Sequence, residues 1–381
     1  MKLIKNGTII VGNGETLTNA SVLIEGGKVT QVGQVTHSEE PEQVIDATGL
    51  YITPGLIDVH THLGVHEEGI GQPGQDFNET SSPITPEIRA LDGINPRDKG
   101  FEDARKAGVT TVQVLPGSAN VIGGEMVTLK TSGNVVDEMV LRRPSGMKAA
   151  FGENPKRLHG SKGHAPVTRM GIAAMFRQQL RKAQQYKQKL ERRENVEDNL
   201  GLENLGKVLD KEIPLRAHAH RADDIVTLLR LAKEFDLDIS IEHCTEGHQI
   251  PDYIAQFNFP AAVGPTMSTR SKVELSDKGW ETAGILNQAG VSVSITTDHP
   301  VVGIEYLRMS AIQAANHGLE KKDAWSSITL NAAKHLGVDE RVGSLEAGKD
   351  ADVVLWNDDP FNGSSYVLKT FVNGEEVYAL D

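Results

Sequence analysis

The chain has one cysteine, Cys244, among 381 residues. No internal disulfide can form, and a reducing compartment is the expected setting. Long apolar runs are missing too: none approaches the roughly 20 residues that span a bilayer. The opening stretch, Met1 to Glu15, alternates like a strand and has no long apolar segment of the secretory kind. A cytoplasmic protein is therefore expected. Positive charge is scarce, with 39 Lys and Arg against 52 Asp and Glu, a formal net charge of −13. That balance disfavours nucleic-acid phosphates and anionic membranes as partners and serves solubility. No Gly-x-Gly-x-x-Gly follows the first strand of the central region, which removes support for dinucleotide binding. Internal repeats and low-complexity segments are likewise absent.

What is present is an ordinary globular composition, 38% hydrophobic and 24% charged, on a chain long enough for one large barrel and a small accessory unit. Both ends read as short antiparallel strands punctuated by glycine: Leu3–Ile10, Ala20–Glu25 and Lys28–Val32, then Ala351–Trp356, Val367–Val372 and Glu375–Tyr378 around the Asn373-Gly374 turn. The middle differs. Apolar runs at Leu56–Val59, Val109–Val114, Met147–Phe151, Leu215–Ala217, Ile239–Ile241, Ala261–Val263 and Val291–Ile295 alternate with amphipathic stretches at Pro96–Ala107, Thr168–Arg193, Ala222–Phe235 and Trp280–Ala289. Doubly apolar strands alternating with helices predict a parallel sheet buried on both faces. The expected fold is α/β: a (β/α)8 TIM barrel over residues 53–337, with a small β-sandwich built from residues 1–52 and 338–381.

Histidine placement carries the chemistry. His60 and His62 leave the run Gly55–Val59 two residues apart, so both imidazoles can face one point. His218 ends the run Pro214–Ala217, with His220 two residues on; His243 ends Ile239–Glu242; Asp298 ends Val293–Thr297. Barrel enzymes place their active sites at the C-terminal ends of the strands. One such histidine is ordinarily structural, but four histidines and an aspartate at four strand ends are a ligand set. Imidazole nitrogen with carboxylate oxygen suits Zn²⁺ best, with Fe, Mn, Ni and Co as alternatives. The other histidines, including His66, His159, His164, His299 and His335, are expected on surfaces, in loops or in support, with His159 and His164 as candidates to touch substrate.

The segment Tyr51–His62 closely resembles the signature of the amidohydrolase superfamily. The later pieces occur in that family's order: His218, then Ile241-Glu242-His243, then Thr297-Asp298, and a return to the end domain through Asn331–Lys334 and Gly343–Asp352. Within the superfamily the chain looks nearest to imidazolonepropionase-related hydrolases. The resemblance implies one or two divalent cations, Zn²⁺ foremost, lowering the pKa of water towards about 7. It implies ligands His60, His62, His218, His243 and Asp298, with Asp298 also the general base and His220 polarising the scissile carbonyl. For the ligand from strand four two patterns remain open: Lys148, carboxylated by CO₂, and Glu153, which is followed closely by Pro155.

The expected reaction is hydrolysis of a C–N bond, other than an ordinary peptide bond, in a small cyclic or N-acyl amide. A dipeptidase or an N-acetyl-sugar deacetylase is the alternative. A deaminase is disfavoured because His218 is followed by Ala219-His220-Arg221-Ala222 with no glutamate. A non-catalytic metal-binding protein would not need an open water site. His164 and Arg169 are candidates for substrate binding, and Lys130 for a carboxylate. The Gly117–Glu125 stretch reads as a turn-rich connection. A homo-oligomer is expected from the resemblance alone.

Overall fold

Strands that are apolar on both faces are satisfied only between two layers, and the centre of this chain is built from such strands. The computed structural model describes residues 1–380. Eight strands form one sheet in chain order: Leu56–Thr61, Val109–Val114, Ile122–Lys130, Val140–Ala150, Leu215–Ala219, Ile239–His243, Ala261–Val263 and Val293–Ile295. They are called barrel strands one to eight below. Strands one, two, three, five and six are buried along their whole length.

The sheet curls until its edges meet. Thr61 bridges His299 in parallel register. Beneath that bridge Asp58 clasps strand one to the end of strand eight. Its Oδ1 accepts from Thr296 Oγ1 (2.6 Å) and the His60 N–H (3.1 Å), and its Oδ2 accepts from Thr297 N–H (3.0 Å) and Thr297 Oγ1 (2.6 Å). Burial pushes the Asp58 carboxyl up to about 6 against those four bonds.

The amphipathic segments are helices on the outside. Ala222–Phe235 matches the expected range and stops where Asp236 takes a left-handed conformation (φ 53°). Arg169–Glu191 is capped by the Thr168 hydroxyl, which accepts from the Gly171 N–H (3.0 Å), and it buries Ile172, Phe176, Leu180, Ala183 and Tyr186. Those are the apolar positions that the 3.6-residue period marks out.

The structure departs from the expected topology in one strand. Ile122–Lys130, read as part of a turn-rich connection, is a fully buried strand antiparallel to both its neighbours. The barrel is therefore mixed. The links on either side, 115–121 and 131–139, are too short for the helical crossover a parallel strand requires, so the chain must turn back on itself. Its glycines, which suggested turns, have a packing reason: a Cβ on Gly123 would stand 3.2 Å from Lys148 Cγ.

The two chain ends meet in a second eight-stranded sheet. Its path runs Glu375–Ala379, Val367–Val372, Val353–Trp356, Tyr51–Pro54, Lys2–Ile10, Thr16–Glu25, Lys28–Gly33, with Gln43–Asp46 also on Lys2–Ile10. All eight strands are hydrogen-bonded into one sheet, seven along that path and Gln43–Asp46 beside it, around a core of Ile4, Ile9, Val22, Ile52, Val353 and Phe371. Lys2–Ile10 pairs in parallel with Gln43–Asp46 and Tyr51–Pro54, a departure from the purely antiparallel expectation. Buried Lys130, from barrel strand three, ties the two sheets together through Asp350 (3.1 Å) and Asp352 (2.7 Å). It is engaged there and is not free to bind a substrate carboxylate. No helix among the described residues is long and apolar enough to cross a membrane.

Candidate metal centre

Five imidazoles crowd the C-terminal mouth of the barrel, and each is held from behind. His60 Nδ1–H donates to Glu242 Oε2 (2.7 Å), His62 Nδ1–H to the Leu115 carbonyl (2.8 Å) and His243 Nδ1–H to the Gly264 carbonyl (2.7 Å). His218 Nδ1 meets Ser118 Oγ (2.9 Å), and His220 Nδ1 meets Thr245 Oγ1 (2.7 Å). With Nδ1 occupied, Nε2 is the nitrogen left to face the cavity, the arrangement that orients a metal-ligating histidine. Burial keeps the rings of His60, His218, His220 and His243 uncharged. It drives His60 down to about 3, and holds His218 and His220 well below the usual imidazole range, helped by their neighbouring cations and rings. A neutral ring with an inward lone pair is the ligand form.

Asp298 completes the first group. Its Oδ1 lies 3.3 Å from His62 Nε2 and 3.5 Å from His60 Nε2, and no hydrogen bond satisfies that oxygen. Burial acts to raise its carboxyl, and His62, His243 and His60 outweigh burial, so it stays a carboxylate. Ligand atoms about 2.0–2.2 Å from a shared ion stand roughly 3–3.5 Å apart, which is the spacing observed. His60, His243 and Asp298 place ligand atoms within 4.8 Å of one another, as do His218, His220 and His243. Asp298 (φ 53°) and His243 (φ 72°) occupy the left-handed region that residues with side chains rarely adopt. Such strain gathers at functional sites.

The two strand-four candidates part company. Lys148 is wholly buried, its Nζ 3.4 Å from His60 Nε2, and burial lowers its ammonium to about 8. Glu153 stands outside both converging groups and lines an adjoining cavity with Lys156, Arg169 and Arg221. Arg169 is committed to Asp224, with Nε 2.9 Å from Oδ1. His164 is exposed and off the main cavity, while buried His159 reaches Asn120 (3.2 Å). His299 and His335, expected on surfaces, in loops or in support, are both buried.

The main cavity, about 740 Å³, opens over His62, His218, His220 and Asp298. Its outer wall brings Phe77, Asn78, Ser118, Asn154, Arg157 and Lys272, of which Phe77, Arg157 and Lys272 were not singled out from the sequence. His66, taken there for a surface or loop residue, also lines it and stacks on Phe77 at 4.8 Å. Glu274, 1% exposed, sits 3.6 Å from His218 Nε2. It lies in the loop after strand seven, where no strand-end pattern points to it.

Comparison with known proteins agrees with this architecture. The model of the amidohydrolase family matches residues 182–377. An amidohydrolase of known structure from Thermotoga maritima MSB8 is 40% identical, covers the whole of both chains and superposes with a TM-score of 0.97. Amidohydrolase tasK of Hapsidospora irregularis is 30% identical over 93% of this chain, which spans only 39% of that protein. An imidazolonepropionase of Fusobacterium nucleatum is 23% identical, over 89% of this chain and 85% of its own. The chain belongs to the amidohydrolase family. Members of that family are typically metal-dependent, and the His and Asp cluster provides a place for a cation.

Proposed function

We propose that the chain is a metal-dependent hydrolase that cleaves the C–N bond of a small cyclic or N-acyl amide with water. The observation that carries this reading is the unpartnered Asp298 Oδ1 among inward-facing imidazole nitrogens at the floor of an open cavity. An imidazolonepropionase among the relatives favours a cyclic substrate. The cavity volume falls in the range of small-molecule sites.

The donor set of His60, His62, His218, His243 and Asp298, with Lys148 as the strand-four residue, suits Zn²⁺. When bound, such a cation supplies Lewis acidity towards water and carbonyl oxygen. The protein's own groups do the rest. Asp298 accepts a proton from the attacking water and returns it to the leaving nitrogen, which then departs as a neutral amine and not as an anion. Glu242, through His60 Nδ1, keeps His60 in the tautomer that leaves Nε2 unprotonated. Burial favours the neutral amine of Lys148, the form that adds CO₂ to give a carbamate.

The test is metal analysis of protein purified without chelator, joined to a screen of cyclic amides, N-acyl amino acids, dipeptides and N-acetyl sugars. At least about one tightly held divalent cation per chain is expected, with cyclic amides the best substrates. Activity should vanish in His60→Ala. Less than one cation per chain, with His60→Ala as active as the parent, rejects the proposal.

A further inference from the structure

The helix Glu153–Ser161 turns one face to the main cavity. Asn154, Arg157, Leu158 and Ser161 all line it, and their spacing of i, i+3, i+4 and i+7 is a single helical stripe. Asn154 marks the metal end of that stripe, its Nδ2 standing 3.4 Å from His218 Nε2. Arg157 follows three residues later, about 4.5 Å along the helix axis. In a chain of net charge −13, the lining of this cavity includes one carboxylate, Asp298, against two cations, Arg157 and Lys272. Asp298 is engaged at the floor between His60 and His62, and Lys272 is held by Glu274 at 2.6 Å. Arg157 is exposed and has no carboxylate partner among the described residues. The same cavity offers an apolar face in Phe77, stacked on His66.

We propose that Arg157 selects substrates that carry a carboxylate on a short arm beside the scissile amide. The proposal rests on the metal-hydrolase reading above and names the substrate class of that site. A guanidinium presents a planar fork of N–H donors that fits a carboxylate through two parallel bonds. With Lys272 neutralised by Glu274, Arg157 alone balances the single charge of a carboxylate, not the near-double charge of a phosphate monoester. Its offset from Asn154, less than one helical turn, puts the anion a few bonds from the reacting carbon. There it orients the substrate without occupying the inward imidazole nitrogens. A wall with no other free charge also draws anionic substrates to the cavity mouth, despite the negative charge of the whole chain.

The test measures kcat and KM of the whole Zn²⁺-loaded protein on matched pairs, each a free carboxylate and its primary carboxamide. The pairs are cyclic amides with carboxymethyl or carboxyethyl arms, and N-acetyl amino acids. The parent is expected to favour the carboxylate member by about tenfold or more in kcat/KM, and added salt should shrink that preference. In Arg157→Gln the ratio should fall towards one, chiefly through a higher KM for the carboxylate, because a contact away from the reacting atoms binds ground and transition states alike. Arg157→Lys should keep part of the preference. Lys156→Gln, on the adjoining cavity alone, should keep the parental ratio. Far-ultraviolet circular dichroism checks folding, and if Arg157→Gln fails to fold, Arg157→Lys and the salt dependence decide. A parent indifferent to the carboxylate overturns the inference, as does a parental ratio in Arg157→Gln. A Zn²⁺-loaded parent that hydrolyses no member of any pair overturns the hydrolase reading, and the inference with it.

Discussion

A histidine binds metal only if its proton is placed on the other nitrogen, so the residues behind the imidazoles matter as much as the imidazoles. Glu242 is the clearest case. Wholly buried, it accepts from His60 Nδ1 (2.7 Å) and Ser240 Oγ (2.5 Å), with Arg216 Nη1 3.9 Å away. Burial acts to raise its carboxyl, and His335, 3.6 Å away, with the bond from His60 holds it well below the ordinary range. Glu242→Gln preserves shape and removes charge; metal affinity should fall about 10–100-fold, read by competition with a chelating dye. The same burial makes the metal-free protein acid-sensitive. Burial depresses His299 from 6.5 to about 4. Between those values the unfolded chain binds more protons than the folded one, so stability is complete above about 6.5 and is lost as pH falls towards 4. His299 accounts for a loss on the order of 3 kcal/mol. Urea unfolding of metal-free protein at pH 7, 5.5 and 4 should show a falling midpoint, with a shallower fall in His299→Gln; a level midpoint would contradict this.

Strands one and eight lie at opposite ends of the sheet path, and closing them is a task for side chains. Asp58 does this with four accepted hydrogen bonds. Because His60 lies two residues beyond it and Thr297 immediately precedes Asp298, the clasp also sets the spacing of the ligand atoms. Asp58→Ala leaves buried donors on Thr296 and Thr297 unsatisfied and should cost about 3 kcal/mol, measured as the shift in urea unfolding. Metal uptake should weaken in step. A variant of parental stability would show that the bridge between Thr61 and His299 closes the barrel unaided.

The barrel and the end sheet are fastened by charge as well as by apolar packing. Lys130 lies between Asp350 and Asp352, and Asp350 also pairs with Lys28 (2.6 Å) and Arg341 (2.9 Å). Removing one partner of a buried pair usually costs about 3–5 kcal/mol, and the remaining partners of Asp350 place Lys130→Met at the lower end. Thermal unfolding should show the loss. Active-site metal content should stay at the parental level, because Lys130 is remote from the ligand cluster in chain and fold. A drop in metal content without a drop in stability would refute this account.

Much of this was legible before any fold was drawn. The i, i+2 rule put His60 and His62 on one side of a strand, and strand-end positions singled out His218, His243 and Asp298. Seven of the eight barrel strands followed from apolar runs, and Ala222–Phe235 from its period. These are local properties: side-chain direction and amphipathicity repeat along the chain itself. Other features exist only when distant segments meet. The hydrogen-bond pairing of Ile122–Lys130 is set by its neighbours and by links too short to cross over, so its glycines misled. Lys148 and Glu153 were equal in sequence, and only folding buries one against His60 and turns the other towards a side cavity. Glu274 carries no strand-end signature; the loop after strand seven delivers it to His218 and His220. Periodicity along the chain therefore determined which residues could be ligands, and burial, which depends on every packed neighbour at once, decided which charges had to find partners there.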